Sequence, residues 1–422
     1  MEQRVYMCID LKSFYASVEA VDRGLDPFTA NLVVADPARG RGAICLAITP
    51  AMKALGIRNR CRLYEIPEHV KYITALPRMK TYMEVSARIY GTYLRYVSPE
   101  DIHPYSIDEV FIDATPYLRL YGLGPKALAK KLMAAVFEET GICATAGIGT
   151  NLFLSKVALD VTAKYVDDHI GILDEQTFKD TLWHHKPLTD IWNIGPGITR
   201  RLARYGIYDL YGVAQADEQL LYREFGRNAE YLIDHAHGRE PCTMADIHAY
   251  RPSTTSLSNS QVLFEDYNYK DAHLVLMEMV DMLSLELTEK QLLAGGVSLH
   301  IGYSKDIDPP SGGSHKLDTP TANYSHLAEE IDALYHRTTR PDTPIRRIGV
   351  ALTDLVSEDM AGQQLTLFTP PVADTKEKQL QSTVVALKHK FGKNAILRGM
   401  SLQNKATART RNKLIGGHNG GE

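Results

Sequence analysis

The chain contains no apolar run long enough to cross a bilayer, which excludes a helical membrane span and points to no membrane partner. Its first residues lack the basic-then-apolar profile of a secretory leader, so a cytoplasmic protein is expected. Cysteine is scarce and odd in number: Cys8, Cys45, Cys61, Cys143 and Cys242 are scattered and never form a C-x-x-C pair. Buried free thiols in a reducing cytosol fit this pattern better than a disulfide framework or a zinc site. Positive charge is not in excess either, with 47 Lys and Arg against 51 Asp and Glu, a net charge of −4. That argues against a uniformly basic surface but not against a chain that gathers acid at one place and base along another. At 422 residues the chain is too long for one core, and three or four domains are expected.

What is present is acid in an unusual place. In Tyr105-Ser106-Ile107-Asp108-Glu109-Val110-Phe111-Ile112-Asp113, two adjacent carboxylates interrupt an apolar, β-branched run that reads as strand–turn–strand. Two ionised groups side by side cost repulsion and desolvation, and that cost calls for a counter-charge. A hard divalent cation is one answer; a solvated hairpin tip suits this stretch alone equally well. A third acid, Asp10, ends the apolar run Val5-Tyr6-Met7-Cys8-Ile9, which reads as a buried strand leading through Ser13 into a helix. If the two strands are neighbours, three carboxylates converge and can hold two cations that clamp the attacking and leaving oxygens of a phosphoryl displacement.

Asp10-x-x-Ser13-Phe14-Tyr15-Ala16-Ser17-Val18-Glu19, followed by Ser106-Ile107-Asp108-Glu109, resembles the catalytic signature of the Y family of translesion DNA polymerases. The likeness runs from about Arg4 to Phe368. It implies an α+β multidomain, right-hand fold. The palm, with a mixed or antiparallel sheet, would comprise 1–21 and 79–166, and small fingers 22–78. A helical thumb with a helix-hairpin-helix would span 167–240, and an α+β little finger 250–356. An extension, 357–422, would carry a clamp-binding peptide and a basic tail. By the same resemblance Asp10, Asp108, Glu109 and the Leu11 carbonyl hold two Mg²⁺ ions, with Mn²⁺ able to substitute. The backbone N–H groups of Phe14 and Tyr15 meet the triphosphate of an incoming dNTP, and Tyr15 is the steric gate against a 2′-hydroxyl. Lys53 and Lys164 contact the phosphates. Ala47 and Pro50 stand where archaeal and polymerase IV members often carry Thr and Tyr. This departure draws the chain toward the UmuC-like, polymerase V-type branch of Gram-positive bacteria, phages and plasmids.

Further along, Met79 to Tyr96 reads as a palm helix with Met83, Ala87, Tyr90 and Leu94 on its apolar face. Gly147 and Gly149 are read as close strand–helix packing, not a phosphate loop. A helix over 154–164 carries Ser155, Lys156 and Lys164. Leu188 to Leu202 reads helix–tight turn–helix, with Gly195 and Gly197 admitting a DNA phosphate and Arg200 and Arg201 adding charge. Between 237 and 252 a linker is expected, then a β-α-β-β-α-β order with 309–315 as a Gly/Ser/Pro loop. Gln364-Leu365-Thr366-Leu367-Phe368 resembles the pentapeptide that binds the sliding (beta) clamp, with Gln364, Leu365, Leu367 and Phe368 as its contacts. A helix over 376–391 leads to a basic, glycine-containing stretch expected to be flexible, for which a recombinase filament or accessory SOS subunits are candidate partners.

These readings converge on primer–template-dependent DNA synthesis across lesions, as a bacterial, nucleoid-associated enzyme. Two rivals stand beside it. A nucleotide cyclase on a similar palm needs the paired acids but neither the hairpin motif nor the clamp peptide. A DNA- and clamp-binding scaffold would need no working carboxylates, although all three are present; a polymerase subunit silent without accessory proteins would keep them and differ only in needing a partner.

Overall fold

The apolar run before Asp10 forms β1 (Tyr6–Leu11), buried along its length except at Asp10, which is half-buried. Continuous burial is what a central strand requires, since neighbours cover both its faces. The computed structural model describes residues 4–251, 255–304, 308–359 and 371–421, the side chains of 371–375 excepted. They fall into two compact units, one reaching to Tyr250 and including the stretch from His418, the other Arg251–Gly417.

In the first unit, β1 turns through Ser13, whose backbone is left-handed (φ 51°), into α1 (Phe14–Val21). A small sheet follows from β2 (Leu32–Val34), β3 (Ala47–Ile48) and β4 (Ile73–Ala75) in the order β3-β2-β4, with α2 (Pro50–Ala54) beside it. Val33, Cys45, Ile48 and Met52 close its core. The chain then returns as α3 (Met79–Tyr93) and completes the main sheet. It does so with β5 (Ile102–Pro104), β6 (Glu109–Asp113), α4 (Thr115–Tyr121), α5 (Pro125–Thr140), β7 (Ala144–Gly149), α6 (Leu152–Asp160) and β8 (Ile170–Leu173). The strand order is β5-β6-β1-β7-β8, antiparallel except for the β7–β8 pair.

Three expectations about these elements change. The buried face of α3 is Met79, Tyr82, Ile89 and Tyr93, whereas Met83 and Leu94 are exposed. Large tyrosine rings fill the space against the sheet better than the unbranched Met83, and this rotates the helix. The helix carrying Ser155 stops at Asp160, and Lys164 sits in a separate 3₁₀ turn, Thr162–Tyr165. The stretch before α8 (Pro196–Ala203) is one 3₁₀ turn, Leu188–Asp190, because Pro187 and the left-handed Asn193 (φ 66°) leave too few positions for a helix nucleus. Gly147 behaves as expected: a Cβ there would lie 2.0 Å from the Ser155 carbonyl oxygen, so glycine is what lets α6 lie on β7.

The helical segment comprises α7 (Glu175–Leu182), α8, α9 (Leu210–Ala214), α10 (Glu218–Phe225) and α11 (Asn228–Ala236), packed on Phe178, Leu202, Leu210 and Leu221. The expected linker holds a short helix, α12 (Met244–Ala249), stabilised by a capping box between Thr243 and Asp246.

The second unit has the element order β9 (Ser256–Tyr267), α13 (Tyr269–Lys290), β10 (Leu292–Tyr303), β11 (Ser311–Thr321), α14 (Tyr324–Thr338) and β12 (Ile345–Ser357). Its sheet runs β11-β10-β12-β9, all antiparallel, with both helices on one apolar core. The segment read as a Gly/Ser/Pro loop is the start of β11. Gly312 lies so close to β10 that a Cβ would sit 2.0 Å from the Leu299 carbonyl oxygen, so its glycine serves the pairing and does not break it.

Residues 371–417 of the extension belong to this unit and are not a loose tail. From α15 (Pro371–Phe391), Gln381 is buried and donates to Thr288 Oγ1 and to the Ala322 carbonyl, both at 3.0 Å. Glu278, 4% exposed, accepts the N–H groups of Thr407 at 2.7 Å and Ala408 at 3.1 Å. Arg398 meets Asp281, Lys405 meets Glu265, and Arg411 meets Asn259. Arg398 and Lys405 find their counter-charges on α13 and β9, at Asp281 and Glu265. Gln364, Leu365, Leu367 and Phe368 lie outside the described residues. Among the described residues no helix is long and apolar enough to cross a membrane.

One ion-pair network fixes α1 against α3. Glu19 is fully buried and accepts from Arg78 Nε (2.9 Å), Arg78 Nη2 (3.0 Å), the Tyr82 hydroxyl (2.8 Å) and Arg23. Burial alone would raise this carboxyl, but the bonds from Arg78, Arg23 and Tyr82 outweigh it and hold it below the usual carboxylate range. Removing one member of a buried pair costs about 3–5 kcal/mol, and partial exposure of Arg78 reduces that to roughly 2–3 kcal/mol. Glu19→Gln is therefore expected to lower stability by that amount in urea unfolding at pH 7. The group's folded-state pKa is depressed, so its contribution is present above the ordinary glutamate pKa. It is lost as pH falls through the folded value, and the gap between variant and wild type should close in acid.

Candidate active site

β1 and β6 are antiparallel neighbours, and their register sets Asp10 directly opposite Glu109. Opposed residues project to the same face, so two carboxylates meet there. The N–H of Leu11 donates to the Asp108 carbonyl at 3.0 Å, which brings the third acid to the end of the same pair. Asp108 Oδ1 accepts from Ser106 Oγ at 2.7 Å. The sequence-based expectation that these strands are neighbours is thus met in the geometry.

The electrostatics follow from the crowding. Asp10 is pushed up to about 8, first by burial and then by the charges of Asp108 and Glu109. Burial also raises Glu109, while Lys156 works against the rise. Lys156 Nζ lies 2.6 Å from Glu109 Oε1 and 2.9 Å from Asp160 Oδ1, with only 7% of its side chain exposed. Burial works to lower the Lys156 pKa, yet Asp160 and Glu109 hold the ammonium above the ordinary lysine value. One buried lysine is shared by two acids, and among the described residues Asp10 and Asp108 have no comparable ion-pair partner. The donor set is all oxygen, the set that hard divalent cations take.

The mouth of the site is built for an anion. α1 begins without a side-chain cap, and Ser13 Oγ is buried with no hydrogen-bond partner. Its first residues are Phe14, buried, and Tyr15, half-buried. Tyr15 stacks on Tyr82 with ring centroids 4.4 Å apart and planes at 18°. Burial, and then the charge of Asp108, raise the Tyr15 phenol. Loss of solvent pulls Lys53 below its ordinary value, with Asp10 opposing the shift and the charge of Lys164 adding to it. Lys12 is lowered too, by burial first, and feels Lys53 and Asp10. Two ammonium groups, Lys12 and Lys53, therefore share the field of Asp10.

Gly195 and Gly197 open α8, and a Cβ at either would meet no atom of the chain. The fold does not demand their glycines. Arg200 bonds back to the Pro196 carbonyl at 3.3 Å, while Arg201 is drawn over the Phe225 ring at 4.3 Å and toward Glu224 at 3.7 Å. Sequence reasoning did not single out Lys12, Tyr82 or the Lys156–Asp160 pair as site residues. The i,i+4 spacing of Lys156 and Asp160 was readable, but their junction with Glu109 depends on α6 crossing behind β1.

The comparisons with known proteins agree with this geometry. Residues 9–160 match the model of the impB/mucB/samB family, and residues 254–367 match that family's C-terminal domain. UvrX of Bacillus subtilis (strain 168), a protein named for UV-damage repair, is 34% identical over 98% of this chain and 97% of its own. DNA polymerase IV 2 of the same organism is 32% identical over 99% of both chains. Among solved structures, a Y-family DNA polymerase chimera superposes with a TM-score of 0.62 at 20% identity, covering 84% of this chain and 99% of its own. Strand pairing, carboxylate placement and full-length relatives all lead to one conclusion: the chain belongs to the impB/mucB/samB family, the Y-family DNA polymerases of UmuC type.

Proposed function

We propose that this protein is a DNA-directed DNA polymerase that carries synthesis across damaged template, using Asp10, Asp108 and Glu109 to hold two Mg²⁺ ions. The observation that carries the reading is the register of Asp10 opposite Glu109 with Asp108 bonded at the strand end. When bound, the ions supply Lewis-acid stabilisation of the oxygens that exchange at phosphorus. The chain's own residues do the rest. Asp10 and Asp108 would serve both ions, Glu109 the ion that activates the primer hydroxyl, and the Leu11 carbonyl the ion that accompanies the nucleotide. Lys156 keeps Glu109 ionised and aimed. The uncapped N–H groups at Phe14 and Tyr15, with Lys53 and Lys164, receive the triphosphate. Tyr15, held flat on Tyr82, underlies the sugar and excludes a 2′-hydroxyl. Open space at Gly195 and Gly197 suits a DNA phosphate, with Arg200 the freer of the two arginines. The peptide from Gln364 to Phe368 would dock on a sliding clamp. Similarity to polymerases over nearly the whole chain gives no support to a nucleotide cyclase.

Primer extension with Mg²⁺ is expected from the wild type and not from an Asp108→Ala, Glu109→Ala double variant that still binds primer–template. Equal extension by both would remove the carboxylates from the chemistry. Tyr15→Ala should raise ribonucleotide incorporation by about tenfold or more relative to deoxynucleotide, the scale on which loss of a well-placed contact is felt; an unchanged ratio would end the gate assignment.

Asp10 supplies a pH dependence. Its metal-free pKa is raised to about 8, so at pH 7 it carries a proton that a cation must displace. Mg²⁺ affinity should rise as pH approaches 8 and then level. Calorimetry in buffers of different ionisation heat should report about one proton released per site at pH 7. Asp10→Asn should abolish that release, and buffer-independent heats for the wild type would contradict the assignment.

A further inference from the structure

The second unit contains a cluster that the polymerase chemistry does not use. α13 and α14 lie side by side on one core, with Ala272, Leu276, Leu327, Ile331 and Tyr335 buried between them and the sheet. On their outer edge two i,i+4 pairs face each other: Tyr269 and His273 on α13, Asp332 and His336 on α14. Asp332 Oδ1 lies 2.5 Å from His273 Nε2 and 3.3 Å from His336 Nε2. One ligand atom from each of the three residues falls within 4.8 Å of the other two. We propose that His273, Asp332 and His336 form a site for a late first-row divalent cation, Zn²⁺ in the first instance, clipping α13 to α14.

The donor chemistry selects the cation. Two imidazoles and one carboxylate suit Zn²⁺ and its neighbours far better than Mg²⁺, which takes oxygen. Zinc–ligand bonds of about 2 Å in a tetrahedron set donor atoms roughly 3.3 Å apart. The Asp332–His336 edge already has that length, and the Asp332–His273 edge has to open from hydrogen-bond distance. One oxygen of Asp332 thus stands close to Nε2 of both rings, and on loading a cation would take the place among the three atoms. The outer contacts suit the exchange. The Tyr269 hydroxyl lies 2.6 Å from His336 Nδ1, where it can donate to a bare nitrogen or accept from a protonated one. Tyr269 is fixed in turn, its carbonyl accepting from the buried Tyr335 hydroxyl at 2.8 Å. Such a partner fixes ring orientation and nitrogen assignment in metal-bound histidines. His336 is 58% and Asp332 40% exposed on their side chains, so a fourth position is open to water or a further ligand. The helices that carry the ligands are held by their shared core, which is what a pre-organised site needs.

The test uses the full chain, stripped with chelator and kept in excess Mg²⁺ so that the carboxylates near β1 are filled. Zn²⁺ titration by calorimetry should give one equivalent, and Co²⁺ should produce the strong visible bands of a tetrahedral centre. His273→Ala and His336→Ala should each weaken Zn²⁺ binding by about a hundredfold. Tyr269→Phe, which leaves all three ligands in place, should weaken it by about tenfold. His326→Ala, a histidine beside Glu330 on the same helix, should change nothing. Zn²⁺ should raise the melting temperature of the wild type and not of the ligand variants. Primer extension by each variant without Zn²⁺ should match wild type, showing that it folds and separating this site from the catalytic reading. Absence of a bound equivalent in Mg²⁺, or affinity unchanged in both His273→Ala and His336→Ala, would overturn the proposal.

Discussion

Repulsion among Asp10, Asp108 and Glu109 is the constraint on which the first unit turns. Three carboxylates at one end of a strand pair are unstable as neighbours, and burial makes them more so. The chain meets part of the cost itself, by threading Lys156 behind the sheet to reach Glu109. It leaves the rest unmet, and Asp10 rises to about 8 in consequence. An uncapped helix start lies close by, and Lys12 and Lys53 both feel the charge of Asp10. On the proposed reading these acids hold cations and these bases receive an anion, so that a metal-bound polyphosphate suits both fields.

Such a site has to be stiff, because electrostatic preorganisation is lost if the charges relax apart. The supports are buried and largely polar. Glu19 ties α1 to α3 through Arg78 and Tyr82, and the same Tyr82 ring carries Tyr15. Gly147 and Gly149 let α6 approach β7 closely enough for Lys156 to lie under the acids. None of these supporting residues is required to touch substrate. Each fixes one that is proposed to.

In the second unit the same principle works between distant parts of the chain. Residues 371–417 are rich in base, and α13 and β9 supply Glu278, Asp281 and Glu265 to receive them. A stretch that looks unpaired in a local window is paired across more than a hundred residues. The histidines of α13 and α14 illustrate the point again: each helix alone shows an ordinary polar edge, and only their packing places His273 against Asp332.

The sequence by itself determined the family, the central strands and the identity of the acids. Those signals are local: Asp10 closes an unbroken apolar run, and Asp108-Glu109 interrupts another, so a short window holds the whole message. The β-α-β-β-α-β order of the second unit was equally legible, because strand and helix periods differ over a few residues. What the sequence did not carry was rotation and pairing. The buried face of α3 is set by where Tyr82 and Tyr93 find room, the glycines of β11 by the nearness of β10, and the order of the tail by acids far up the chain. Lys156 belongs to the same class, since its link to Glu109 exists only once α6 crosses β1. Local patterns fix which residues are available. Only close packing in three dimensions decides which charges and surfaces meet, because that energy depends on distances the linear chain does not contain.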